Sequence, residues 1–255
     1  MTTATGTDNL HKIVILNPKG GCGKTTLATN IASYYAQQGP PPTLMDCDSQ
    51  GYSMRWLAQR DRSLPDIHGI PAYEHTVKLA DSVRLDGWLD SETVIFDLPG
   101  SVSYDMIHSL TYDANSIIIP VMPSAIDVYS ASRFIAELLL VTQLDRRYQQ
   151  LAVVANRTRE ATRSYRMLMR FLTSLKIPLI AILRDSQNYV HAASKGMGIY
   201  EMPAYRVAKD IEQMSRIVAW LDQWRMRRLD AVSSADFEHI PGAQVLTPTN
   251  HKHPR

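Results

Sequence analysis

Residues 17–26, NPKGGCGKTT, hold three glycines, two lysines and two threonines. That mixture suits a polyphosphate. Glycines let a loop turn successive backbone N–H groups inward around phosphate oxygens, and a helix that starts there adds the positive end of its dipole. In this reading Gly20, Gly21, Cys22 and Gly23 line the cradle together with Thr26, Lys24 reaches the β- and γ-phosphates, and the Thr25 hydroxyl suits Mg²⁺. The generic pattern, G-x-x-x-x-G-K-[ST], needs glycine at position 18, where this chain has Pro18, and the extra Lys19 appears beside that departure. One bound nucleotide accounts for Lys24 and leaves Lys19 unexplained.

Two further stretches carry acids. MDCDSQG (45–51) places Asp46 and Asp48 at the end of an apolar run, where a carboxylate can orient an attacking water or hold a metal's water shell; the plain alternative is a solvated turn in which Asp48 or Ser49 caps the following helix. VIFDLPG (94–100) is an apolar run ending in Asp97, the arrangement that puts an acid near Mg²⁺ and a loop near the γ-phosphate. Many strands end in Asp, so either stretch alone says little. Three phosphate-binding or acidic strand ends in one sheet define one nucleotide site.

The elements that must bring these residues together are legible as apolar runs. KIVILN (12–17), PTLMD (42–46), TVIFD (93–97), SIIIPV (116–121), LAVVAN (151–156) and IPLIAIL (177–183) are near-continuous, as strands covered on both faces require. Helical patterns fall at 24–38, 50–60, 103–111, 128–147, 160–174 and 208–228. This alternation predicts an α/β fold, a doubly wound and mostly parallel sheet with helices on both faces. Residues 61–92 are the least regular and have room for one more short strand or helix. The expected organisation is a flexible 1–11, a single domain over 12–229 and a disordered tail over 230–255, where three prolines interrupt a polar stretch.

Bulk properties narrow the classes. The net charge of +2 does not announce a nucleic-acid protein, so any basic surface must be local. Cys22 and Cys47 read as two reduced thiols. No apolar run approaches the roughly 18–20 residues of a membrane span, and MTTATGTDNLHK lacks the apolar centre of a signal peptide. The expectation is a cytoplasmic protein.

KGGCGKTT, DCDSQG and DLPG together resemble the ParA/MinD family of deviant-Walker ATPases, over roughly residues 12–228. The resemblance implies that ATP and Mg²⁺ are the cofactors. It implies that Lys19 is the signature lysine, reaching across a homodimer interface to the phosphates held by the other subunit, while Lys24 holds the subunit's own nucleotide. By the same resemblance Asp48 positions the hydrolytic water, Asp46 and Asp97 serve the magnesium site with Thr25, and Asn156 contacts adenine. Residues 182–202 resemble the segment that contributes to the base pocket. The family often has two prolines after the Walker B acid, whereas this chain has Pro99 and Gly100.

Members of that family differ in what the ATP dimer grips. Arg163, Arg166 and Arg170 share one helical face opposite Leu168, Phe171, Leu172 and Leu175. A second basic group holds Arg206, Lys209, Arg216, Arg225, Arg227 and Arg228, with Lys195 between the two. A charged helical face is usually just solvated, but the resemblance favours non-specific double-stranded DNA, with both stripes on one face of the ATP dimer. A ParB-like or cargo-adaptor protein would stimulate an otherwise slow hydrolysis. The implied task is to position or segregate a plasmid, a chromosome or a protein organelle such as a carboxysome over the nucleoid. Without a long N-terminal extension, operator-specific regulation is not expected. The alternatives are a MinD-like membrane ATPase, which the prolines of the last stretch disfavour, and an adaptor that holds nucleotide without turnover.

Overall fold

The computed structural model describes residues 10–74, 91–112, 114–142, 150–160, 162–174 and 177–225. The expected tail, Arg227 and Arg228 lie outside these. Among the described residues seven strands form one sheet: β1 His11–Ile15, β2 Thr43–Asp46, β3 His68–Pro71, β4 Thr93–Asp97, β5 Ser116–Val121, β6 Leu151–Thr158 and β7 Leu179–Arg184. Their order is β3-β2-β4-β1-β5-β6-β7, and every pairing is parallel. The doubly wound parallel sheet is therefore as expected. The irregular stretch supplies β3, which sits at the end of the sheet beside β2, and a short 3₁₀ turn, Ala72–Glu74.

The helices are α1 Lys24–Ala36, α2 Tyr52–Ala58, α3 Tyr104–Thr111, α4 Ala125–Thr142, α5 Arg163–Ser174, α6 Gln187–Ala193 and α7 Ala204–Arg225. Alternation within the apolar runs decides which layer each strand residue feeds. Val14, Phe96, Ile117, Ile119 and Val153 pack with Ile107 and Leu110 of α3, Phe134, Ile135 and Leu138 of α4, and Leu168 and Leu172 of α5. Ile13, Ile15, Ile95, Ile118 and Val154 pack on the other side with Leu27 and Ile31 of α1, Trp56 of α2, and Met214, Ile217 and Leu221 of α7. Burial on both faces explains why the strands read as unbroken apolar runs. Helix α6 has no apolar periodicity to announce it in the sequence; Ser186, whose hydroxyl accepts from Asn188 N at 3.3 Å, is the N-cap signal that marks its start.

Parallel pairing puts all the strand C-termini on one edge. Ile15 is in register with Asp97, and Asp97 with Asp46. The glycine-rich loop after β1 and the acids that end β2 and β4 thus meet by topology, at the edge where ligands of open α/β sheets bind.

Candidate functional site

The loop from Asn17 to Gly23 is built to leave its amides free. Gly21 and Gly23 have φ of +75° and +100°, values that L side chains rarely adopt. A Cβ on Gly20 or Gly21 would meet only open space, so the backbone there borders a cradle. Gly23 is the N-cap of α1, and no side chain caps the helix. The first N–H groups of α1 are therefore available to an anion, and Asp and Glu are absent from its first turn.

Two asparagines hold the loop from behind. Asn17 Nδ2 donates to Pro120 O at 2.7 Å, and Asn17 Oδ1 accepts from Lys19 N at 2.9 Å. Asn156 Nδ2 donates to Cys22 O at 2.8 Å, while Asn156 Oδ1 accepts from Arg157 N at 2.9 Å. Arg157 has φ +51°, next to an irregularity in the β6–β7 pairing. The resemblance implies an adenine contact for Asn156; in the structure its amide also clamps the phosphate loop, a contact that no motif announces.

The two lysines are in different situations. Lys24 is buried, and its ammonium donates to Asn17 O at 3.0 Å and Lys19 O at 3.3 Å. Lys19 is half-buried between exposed Pro18 and Gly20. Its backbone is pinned by Asn17, but among the described residues its ammonium has no hydrogen bond or ion pair. Gly100, after the Walker B strand, lies against this corner: a Cβ there would sit 3.1 Å from Pro18 O. The two departures from the usual patterns, Pro18 and Gly100, are thus in contact.

The acids differ as well. Asp46 is fully buried, and its two oxygens accept backbone N–H bonds from Asp48 and Met54, each at 3.1 Å. Burial still pushes its carboxyl above the usual range. Asp48 is half-buried and shapes the turn rather than capping α2: its Oδ1 accepts from Gln50 N at 3.0 Å, and the N-cap of α2 is Gly51 with φ +64°. Asp97 is buried, and its Oδ2 accepts from Ser53 Oγ at 2.7 Å. Its Oδ1 has no partner among the described residues. Burial raises its pKa to about 6, against the Ser53 and Thr25 hydroxyls that favour the carboxylate. Ser53 went unread in the sequence; the available signal is a small polar residue one turn before Trp56 on the buried face of α2.

This arrangement fits a magnesium–nucleotide pair. The loop offers uncapped amides and open space. The Thr25 hydroxyl lies close to the Asp97 carboxyl, Lys24 is near, and one buried oxygen of that carboxylate is unsatisfied among the described residues, a set of groups that suits a hydrated Mg²⁺ between phosphate and protein. Among the described residues no cluster of three or more His, Cys, Asp or Glu could hold a metal without such help. Both thiols are buried, and burial raises their pKa values, so neither has reactive thiolate character.

The profile of the CobQ/CobB/MinD/ParA nucleotide binding domain matches residues 13–199. The chain belongs to this family. Within the CobQ/CobB/MinD/ParA family, it is 26% identical over 202 residues to the maintenance of carboxysome distribution protein A of Halothiobacillus neapolitanus, covering 75% of this chain and 88% of that protein. Its fold superposes on a plasmid partition protein of Borrelia burgdorferi bound to AMPPNP, with TM-score 0.66 at 14% identity over 84% of this chain and 99% of that one. It also superposes on apo McdA of Cyanothece, with TM-score 0.65 at 17% identity over 82% and 99%. Nucleotide binding by the P-loop is thus a family property of this chain.

The basic residues are only partly as expected. Arg163, Arg166 and Arg170 are exposed along α5, with Leu168 and Leu172 buried behind them. Lys195, Arg206 and Arg216 are exposed, but Arg216 pairs with Glu212 at 3.5 Å and Arg206 lies over the Tyr205 ring. Arg225 is half-buried and ion-paired with Glu92. The two stripes pack on opposite sides of the sheet, α5 with α3 and α4, α7 with α1 and α2. Within one protomer the two stripes therefore lie in different layers, because the layer of each helix is set by its crossover and not by its charge. No described helix is long and apolar enough to cross a membrane.

Proposed function

We propose that the chain is a ParA-type ATPase in which ATP binding makes a sandwich dimer, the dimer grips DNA without sequence preference, and partner-stimulated hydrolysis releases it. Relatives named for carboxysome distribution favour a protein organelle of that kind as the cargo. The observation that carries this reading is the contrast between the lysines: Lys24 is held inside its own loop, whereas Lys19 has an anchored backbone and an ammonium at the rim with no partner among the described residues. A cation in that position is placed to serve a neighbour's triphosphate and to stabilise charge in phosphoryl transfer. Lys24 and the loop amides then bind the chain's own phosphates, and Asp48 orients the attacking water. Mg²⁺ would neutralise the phosphate charge, held by Thr25 and Asp97, with Asp46 keeping the adjoining turn in shape. On DNA the exposed arginines Arg163, Arg166 and Arg170 are the leading contacts, with Lys195 beside α6.

Light scattering after size exclusion tests the core of this. With ATP and Mg²⁺ the wild type is expected to dimerise, and with ADP to stay monomeric. Lys19→Ala should lose the ATP dimer but keep nucleotide binding, and Asp48→Ala should keep the dimer and block phosphate release. Random-sequence duplex should be retained only by the ATP dimer, with an affinity that falls steeply with salt. An ATP-loaded monomer, or equal DNA binding in ATP and ADP, would overturn the proposal.

A further inference from the structure

Ser53 belongs to no motif. It is the second residue of α2, fully buried, and its hydroxyl donates to Asp97 Oδ2 at 2.7 Å. The other oxygen of that carboxylate is buried without a partner among the described residues, and the Thr25 hydroxyl lies against the same group. Each oxygen of Asp46 next to it already accepts a backbone N–H bond, whereas Oδ1 of Asp97 accepts none among the described residues, so Asp97 has the more capacity to spare. A carboxylate's terminal torsion is broad and two-fold, so nothing within Asp97 itself decides which oxygen faces the phosphate loop. A buried acceptor left unpaired is costly, and it persists where the surroundings hold it in place.

From this geometry we infer that Ser53 is a positioning residue for the divalent cation that accompanies the nucleotide: by holding Oδ2 it commits Oδ1 of Asp97 to the cation's shell. The inference rests on the nucleotide reading above. It also gives the acids a mechanical link. Ser53 follows directly on the turn that carries Asp48, so one bond ties that turn to the end of β4. Lys24 does not compete for the role, because its ammonium is held by the Asn17 and Lys19 carbonyls. Residues that orient a metal's ligands from behind typically change metal affinity by about 10–100-fold when removed.

The test uses Mn²⁺ as the probe, titrated into the full chain saturated with ADP and followed by the electron paramagnetic resonance of the free ion. Ser53→Ala is expected to weaken Mn²⁺ binding by about 10-fold or more, while ADP affinity in EDTA stays at the wild-type value; the buried Oδ2 left unpaired lowers the urea midpoint, but unfolding stays cooperative. Ser53→Thr, which keeps the hydroxyl, is expected to restore Mn²⁺ binding. Unchanged Mn²⁺ affinity in Ser53→Ala overturns the inference. So does a parallel loss of ADP binding in EDTA, which would mean that Ser53 merely supports the loop. If wild type with ADP retains no Mn²⁺ at all, the nucleotide reading fails first and this inference with it.

Discussion

Replacing Gly23 by alanine should destabilise the phosphate loop in two separable ways. The first is backbone strain: at φ +100° an L residue costs about 1–3 kcal/mol. The second is a collision. The new Cβ would lie 2.0 Å from Asn156 Nδ2, a separation no side chain tolerates, so the amide must swing away and give up its 2.8 Å bond to Cys22 O. That adds about 1 kcal/mol for the bond, and about 1–3 kcal/mol if the buried carbonyl stays unpaired. Removing the amide first separates the two parts. In an Asn156→Ala background the collision is gone and Gly23→Ala should cost only the backbone part. A double-mutant cycle by urea denaturation of nucleotide-free protein should therefore show the paired changes to be less damaging than their sum by about 1–2 kcal/mol. Equal costs of Gly23→Ala in both backgrounds would refute the clamp.

Two further outcomes test other parts of the structure. His11 is fully buried, edge-on to Tyr35, and both ring nitrogens lack a partner among the described residues. Burial first, and the nearby Arg225 charge second, lower its pKa from 6.5 to about 3. Between those values the unfolded chain binds the extra proton, so His11 lowers stability as pH falls from 6.5 toward 3, by about 2 kcal/mol at pH 5. Urea midpoints of wild type and His11→Leu across that range should diverge by that slope, and parallel profiles would refute it. Gly100→Ala pushes a methyl group to 3.1 Å from Pro18 O, so it should shift the corner that carries Lys19. The expected result is a weaker ATP dimer in sedimentation equilibrium with ADP affinity unchanged; an unaltered dimer would show that the contact does not matter.

The sequence by itself determined the parallel sheet, its two layers and the position of the glycine-rich loop and of Asp46 and Asp97 at strand ends, because those depend on local patterns. Unbroken apolar runs specify strands buried on both faces, and a glycine-rich loop between strand and helix specifies where an anion binds. What it could not determine is how side chains distant in the chain meet. Asn156 reaches Cys22 across 134 positions, and Ser53 reaches Asp97 across 44. Arg225, grouped in the sequence with a basic stripe, is instead ion-paired with Glu92, and the α5 and α7 stripes are separated by the sheet. Charge and spacing describe one helix at a time, whereas partners and layers follow from strand order and crossovers, which exist only once the sheet has closed around its core.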